Sequence, residues 1–337
     1  AARDVLADQC TPQVVRAIEE GGRTAEATTA LWEQLEATGL ADALLSEDAG
    51  GAGLGLGQVF GVLEQCGAHA LPLPLGETMV ARALLAQAGV ARPAGSIALA
   101  RGEHLANGGL RCALVRSGQV AAAVLVQTGT EWRLLNTADA QGAAQALALD
   151  AALTWTAVQV QAAPAVEVNG ALDVRTLQAA VVAAQMAGAL KAVFDRTLQY
   201  ANERQQFGRP IGKFQAIQHQ LAVMSEHVFA ARMAAQLGCS AGHDGMGVVP
   251  DRLRVATAKA RCSEAALVVS ELAHAIHGAI GFTEEYDLQL FTRRLHAWRQ
   301  TAGSEAYWYG VAGEALLHHQ GMTLDIVRRI TDVDTVL

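Results

Sequence analysis

The sequence predicts a mostly α-helical chain with one small β domain in its middle, an α–β–α order. Three observations carry the prediction. Apolar residues recur at helical spacing up to about residue 89 and again from about residue 173 onward. Between about 93 and 166 the texture changes to short runs with β-branched and aromatic residues, parted by Gly, Asn, Asp and Thr. Strands and helices do not alternate, as they would in a doubly wound sheet. The expected division is a helical domain over 1–92, an antiparallel β domain over 93–168 and a four-helix bundle over 169–337.

The elements follow in order. Val14, Ile18, Ala25, Leu31, Leu35 and Leu40 fall near helical spacing, and Val80 to Ala88 reads the same way. The glycine cluster Gly50 to Gly57 offers no register of the G-x-G-x-x-G dinucleotide loop and follows polar residues rather than a buried strand, so it reads as a loop entering a helix over Val59 to Gln65. Leu110 to Val115, Val120 to Val126, Trp132 to Leu135 and Leu153 to Val160 read as strands, the last because Trp155 to Val160 partly alternates. Leu177 to Glu203 is one long alanine-rich helix, apolar on most faces in its first half, as a helix inside a bundle should be. Further helices are expected over Gln215 to Leu237, Asp251 to Gly278 and Ser304 to His319.

Composition narrows the function classes. The chain of 337 residues carries 33 acidic against 25 basic side chains, a formal charge of −8, with 51% apolar and 17% charged residues. That is too apolar for disorder, and with no Lys/Arg-rich block it argues against nucleic acid as a partner, because phosphate backbones demand clustered cations. No run of about 18 uncharged apolar residues with flanking anchors is present, so no membrane span is expected. Ala1 to Asp4 show no basic n-region leading into an apolar stretch, so no signal peptide is expected either, and the localisation reads as cytoplasmic. Five scattered cysteines without a C-x-x-C pair read as free buried thiols of a reducing compartment.

The most informative stretch runs from Tyr200 to Ala222, containing Arg204-Gln205-Gln206-Phe207-Gly208-Arg209-Pro210-Ile211-Gly212-Lys213-Phe214-Gln215. Physically it is a helix end, a Gly/Pro turn and a new helix. An arginine beside such a turn reaches an external anion with a fork suited to phosphate, and Phe207 can lie against a heteroaromatic ring; a plain junction with a solvated arginine has the same pattern.

This segment resembles the signature of the acyl-CoA dehydrogenase family, R-x-Q-F-G-x-P-I-x-x-F-Q-x-x-Q-H-x-L-A. Ile276-His277-Gly278-Ala279-Ile280-Gly281-Phe282-Thr283-Glu284 is similar to its H-G-G-x-G-[FY]-T-x-E, and Gly50 to Gly55 followed by Val62 to Gln65 to its N-terminal block. The resemblance covers most of the chain and implies the same α–β–α order. It implies FAD and an acyl-CoA substrate, with a carboxylate removing the α-proton while the β-hydrogen leaves as hydride to the flavin. It places Arg204, Gln206 and Phe207 at the pyrophosphate and adenine of a neighbouring subunit's FAD, with Ile211, Phe214, Gln215 and Ile217 in the flavin region and Ala275 and Gly278 at its adenine end. Such a site across an interface implies a homo- or hetero-oligomer, and an electron-transferring flavoprotein as acceptor.

The departures are as specific. The family's base is the glutamate of E-G-[TS], where this chain has Ala302-Gly303-Ser304, or a glutamate near the start of the long helix, which aligns with Gln178. Neither a methyl group nor a neutral carboxamide accepts the proton. Ala275 replaces a glutamine, Ala279 a glycine, and Ser96 to Gly102 lacks the family's polar T-E-P-x-A-G-S-D. The resemblance is therefore to the short, degenerate subunit of heteromeric bacterial dehydrogenases of the steroid side-chain type, with the base on another chain. A structural subunit without flavin, and a self-sufficient enzyme using Glu305 as a displaced base, are the other readings. On a helix starting near Gly303, Glu305 points about 300° round from residue 302, which favours a salt-bridged or solvated role. His274 and His277 share a helix face but lack a third ligand with fitting spacing, so no metal is expected. Trp298, Tyr307, Trp308 and Tyr309 either line an acyl pocket or pack helix interfaces.

Overall fold

The computed structural model describes residues 2–145, 147, 149–168, 172–240 and 249–332. Five helices come first: α1 (Ala2–Gln9), α2 (Pro12–Gly21), α3 (Glu26–Ala37), α4 (Phe60–Ala68) and α5 (Leu75–Gln87). Helix α2 starts where Thr11 accepts a hydrogen bond from the Val14 N–H and Pro12 presets the first turn; it buries Val15 and Ile18, and α3 buries Leu31, Trp32 and Leu35. The glycine-rich loop leads into α4 as expected.

Seven strands follow: β1 (Ile97–Arg101), β2 (Glu103–His104), β3 (Leu110–Val115), β4 (Ala123–Thr128), β5 (Glu131–Asn136), β6 (Gln141–Ala144) and β7 (Ala151–Trp155). They form two sheets, ordered β1-β4-β5 and β2-β3-β7-β6. Every pairing is antiparallel except β1 with β4, which run parallel from Ile97 opposite Ala123 to Arg101 opposite Gln127. The excursion through β2 and β3 between them supplies the long crossover that a parallel pair needs. The strand expected to continue from Leu153 to Val160 stops at Trp155. Thr156 caps a short helix, α6 (Ala157–Ala162), in a capping box with Gln159, so a helix-start signal outweighs the alternation.

The remainder is helical: α7 (Val174–Glu203), α8 (Gln215–Cys239), α9 (Arg252–His277), α10 (Leu288–Gln300), α11 (Glu305–His318) and α12 (Thr323–Thr331), with a small hairpin, β8 (Gln205–Gln206) and β9 (Arg209–Pro210), between α7 and α8. The boundary expected between 168 and 169 abuts 169–171, outside the described residues. Contrary to the sequence-based expectation, two helical stretches, Val174–Glu203 and Arg252–Phe282, are long and apolar enough to cross a membrane by length and composition. In the first, 89% of the apolar window is buried within the protein, as for the central helix of a bundle.

Helix α7 touches α4, α8, α9 and α10. Its contact with α4 is backbone on backbone: a Cβ on Gly188 would lie 1.8 Å from the Glu64 carbonyl oxygen, and one on Gly67 1.7 Å from that of Gln185, so only glycine fits at either position. Helices α7 and α9 run side by side in the same direction. Arg252 reaches Asp173, the Cys262 thiol donates to the Ala183 carbonyl and Tyr200 stacks on His277, at sequence offsets of 79, 79 and 77. This parallel pair is the frame on which both candidate regions sit.

Candidate functional site

At the C-terminal end of the pair, α7 finishes with the Arg204 N–H donating to the Tyr200 carbonyl, and the chain turns back so that the Ile211 N–H donates to the Arg204 carbonyl. Between them β8 and β9 form a hairpin whose two turn residues, Phe207 and Gly208, both have positive φ (52° and 77°). That pairing matches the twist of a tight hairpin but is unusual for a bulky residue. The turn projects Phe207 outward, 91% exposed. Arg204, Gln206 and Gln215 are exposed, and the Arg204 guanidinium has no carboxylate partner among the described residues. Ile211, Phe214 and Ile217 are half-buried at the root of the arm, where the Arg209 guanidinium lies 4.2 Å from the Phe214 ring centre.

The second motif lies at the same end. Gly278 closes α9 at φ 64° in open space, and Ala275 is exposed beside it. The Tyr200 ring stacks 4.4 Å from that of His277, and its hydroxyl donates to the His277 carbonyl at 3.4 Å. The His277 Nδ1 is 2.7 Å from the Ala273 carbonyl, which sets Nδ1 as the donor and leaves Nε2 to the Tyr286 hydroxyl at 3.2 Å. His274 meets Thr292 at 3.0 Å and stacks on Phe282. Burial holds both imidazoles below the ordinary histidine pKa; His277, through Tyr200, fastens the two motifs together, while His274 ties α9 to α10 and Phe282.

Gln178 and Ala302 lie at the opposite end. From Gln178 to Arg204 is 26 residues of helix, about 39 Å at 1.5 Å per residue. Arg175, one turn before Gln178, sits 4.5 Å over the Tyr307 ring, and that ring packs against Gly303, so the two positions share one end of the bundle. The Gln178 carboxamide donates to Glu77 Oε1 (3.3 Å) and to the Leu99 carbonyl (3.0 Å). Glu77, fully buried on α5, also accepts from the Leu99 N–H at 2.8 Å and pairs with Arg116 at 3.3 Å; burial pushes its carboxyl above the usual range while Arg116 pulls it down. Arg116 in turn donates to Gln185 at 2.5 Å and lies 4.9 Å from the Trp298 ring centre.

Ala302 is half-buried and left-handed, with φ 57°. Its carbonyl accepts from Trp308 Nε1 at 3.1 Å. The buried Lys259 ammonium donates to the Gly303 carbonyl (2.9 Å), the Arg299 carbonyl (3.0 Å) and the Ser263 hydroxyl (3.0 Å). Burial lowers its pKa to about 7. Glu305 is gripped by Arg299, whose Nε lies 3.1 and 3.0 Å from its two oxygens, and this bonding holds its carboxyl below the usual range. The four aromatic residues do not line one pocket: Trp298 faces Arg116, Trp308 packs under the turn, Tyr307 lies beneath Arg175, and Tyr309 donates to Glu264 at 3.2 Å.

Glu77, Lys259 and Arg175 were not singled out from the sequence. A lone acid in the apolar run Leu75 to Leu85 was the available signal for Glu77; Lys259 is one of four cations in α9, and nothing local marks it out.

Residues 174–317 match the family model for the acyl-CoA dehydrogenase C-terminal domain. The acyl-CoA dehydrogenase IpdE2 of Mycolicibacterium smegmatis is 31% identical over 87% of this chain and 89% of its own length. The chain belongs to the acyl-CoA dehydrogenase family. Among solved structures, a variant of the Tcur3481–Tcur3483 steroid ACAD is 28% identical, with a TM-score of 0.76 over 94% of this chain and 95% of that one. The ChsE4–ChsE5 complex from Mycobacterium tuberculosis shares the fold, with a TM-score of 0.79 at 22% identity over 95% and 96%. This acyl-CoA dehydrogenase chain is thus related to steroid-type members, and PigA, which shares the fold with a TM-score of 0.73 at 16% identity, is a structure with bound FAD. The exposed guanidinium and aromatic ring of the arm fit the phosphate and ring of a dinucleotide, whereas the Gln178–Ala302 end holds no free carboxylate among the described residues.

Proposed function

We propose that this chain is one subunit of an FAD-dependent acyl-CoA dehydrogenase, lending its Arg204 arm to a cofactor site shared with another chain that supplies the base. The observation that carries this reading is the separation of the two ends. An arm about 39 Å along α7 from Gln178 cannot serve a dinucleotide reacting there, so the arm must reach a site completed by a neighbour. At that site Arg204 offers its guanidinium fork to phosphate oxygens, Gln206 a carboxamide and Phe207 a ring face, while Ile211, Phe214, Gln215 and Ile217 shape the wall and Ala275 and Gly278 leave room for the adenine end. When bound, FAD supplies the acceptor for the β-hydride of the acyl thioester. The α-proton has to go elsewhere, because Ala302 and Gln178 carry no base, Glu77 is sealed behind Gln178, and Glu305 is committed to Arg299. An electron-transferring flavoprotein is the acceptor the family analogy supplies, and the cytoplasm the compartment.

The test is to purify the chain alone and together with a candidate partner subunit, and to measure flavin per chain and mass in solution. Colourless protein that gains flavin only on co-expression supports the reading, and Arg204→Ala should then deplete that flavin. Stoichiometric FAD in an oligomer of this chain alone overturns it. Co-purification without flavin would favour a structural subunit instead.

A further inference from the structure

Where the front helices, the β sheets and the bundle meet, the structure holds a small chamber of about 20 Å³, measured as the space open to the centre of a water molecule. Glu19 from α2, Arg116 and Ser117 from the turn after β3, Asp150 from the turn before β7, and Arg294 and Trp298 from α10 line it. Asp150 is buried, and its carboxylate accepts one hydrogen bond, at 3.0 Å, from the N–H of Ser117, which is held at φ 56°. It makes no ion pair among the described residues, although Arg116 and Arg294 both act on its charge. Burial pushes this carboxyl above the usual range, against the pull of the Ser117 N–H and the two guanidinium groups. The arginines have carboxylates of their own: Arg116 has Glu77 at 3.3 Å, and Arg294 has Glu19 at 2.8 Å. Arg116 also donates to Gln185, and Arg294 to the Leu290 carbonyl. A guanidinium has five N–H donors, so each keeps some to spare.

A buried carboxylate that shares a gap with two such groups needs a bridge, and the size and charge of the gap decide what it is. A water needs about 10–15 Å³ by this measure and two to four polar partners, and both conditions are met. Arg116, Arg293 and Arg294 stand against Glu19, Glu77 and Asp150, and burial keeps the Cys10 thiol beside Arg294 neutral, so the charges balance without an ion. We propose that the chamber binds a single water molecule, which donates to the second carboxylate oxygen of Asp150 and accepts from Arg116 or Arg294. The water completes a polar chain from Glu19 through Arg294, Asp150 and Arg116 to Glu77 and Gln178, so that α2, α10, both turns of the β unit, α5 and α7 are linked in series. Asp150 is then a tie between the sheets and the helices on either side of them.

High-resolution crystal structures of the protein, alone or in its assembly, test the proposal, with bromide-soaked crystals beside unsoaked ones. One water peak within hydrogen-bond distance of Asp150 and of a guanidinium, unchanged by bromide, is expected. An empty chamber, direct contact between Asp150 and either arginine, or bromide in place of the peak overturns it. In solution, water relaxation dispersion should count one long-lived internal water fewer in Asp150→Leu than in the parent, and the same number in Asp150→Asn, which keeps an acceptor oxygen. An equal count in the parent and Asp150→Leu also overturns it. If Asp150→Leu does not fold, the crystals of the parent still decide.

Discussion

At the Arg204 end of the α7–α9 pair the side chains that matter are exposed and free, carried on a two-residue turn; at the Gln178 end they are buried and bound to one another. The first arrangement suits contact with something outside the chain. The second holds backbone in place: Glu77 clasps β1 and α7, and Lys259 pins the turn from α10 to α11. On the proposed reading, binding residues and proton-transfer residues lie on different chains, with the arm on this one. On that reading a subunit needs only the first set to complete a neighbour's cofactor site, so Ala302 and Gln178 in place of a carboxylate would not make the arm idle.

The contrast can be broken or sharpened by substitution. The largest effect is expected from Glu77→Ala, which strips Arg116 of its carboxylate inside the protein and leaves the Leu99 N–H unpaired. Removing one partner of a buried pair costs about 3–5 kcal/mol, so the urea midpoint should fall steeply; a fall no larger than a surface mutation's would show that the clasp is not holding the elements together. Next comes Lys259. Its folded pKa of about 7 lies below its ordinary value of 10.5, so between those pH values the unfolded chain binds more protons. Stability should therefore rise with pH across that window, by up to about 1.4 kcal/mol per unit. Denaturation curves of the parent and Lys259→Met should differ by this slope, and identical slopes would place the ammonium in water.

At the other end, Phe207→Ala should leave stability within about 0.5 kcal/mol, as exposed substitutions do, while weakening flavin retention in the assembled protein. A melting temperature that drops together with the flavin-free protein would make the arm a structural element after all. The smallest effect belongs to Glu305→Gln. Losing a partly exposed ion pair costs about 0–1 kcal/mol, and turnover of the assembly should be unchanged. Abolished turnover would identify Glu305 as the base and restore chemistry to this end of the chain.

The long helices were legible because alanine-rich amphipathic stretches extend over many turns, and the arm because its motif is contiguous. Strand β1 was not read as a strand: Ile97 to Ala100 are buried together, so no alternation marks them. Helix α10 was missed because three arginines and a histidine interrupt its apolar face, and Arg294 is buried on Glu19 rather than solvated. The clasp at Gln178 was invisible for a different reason. Its partner lies 101 positions away, and Lys259 lies 44 from Gly303, so both depend on tertiary contacts that no local pattern encodes.

The five cysteines were expected to be free and buried, and each is: Cys10 just after α1, Cys66 in α4, Cys112 in β3, Cys239 at the end of α8 and Cys262 in α9. Burial pushes every one of these thiols up to about 12. An alkylating reagent reacts with thiolate, so it modifies each only when its own layer opens. The protein therefore carries a built-in clock in its helical front, its β unit and its bundle, and the order in which the five sites are labelled over time would read out which layer lets go first.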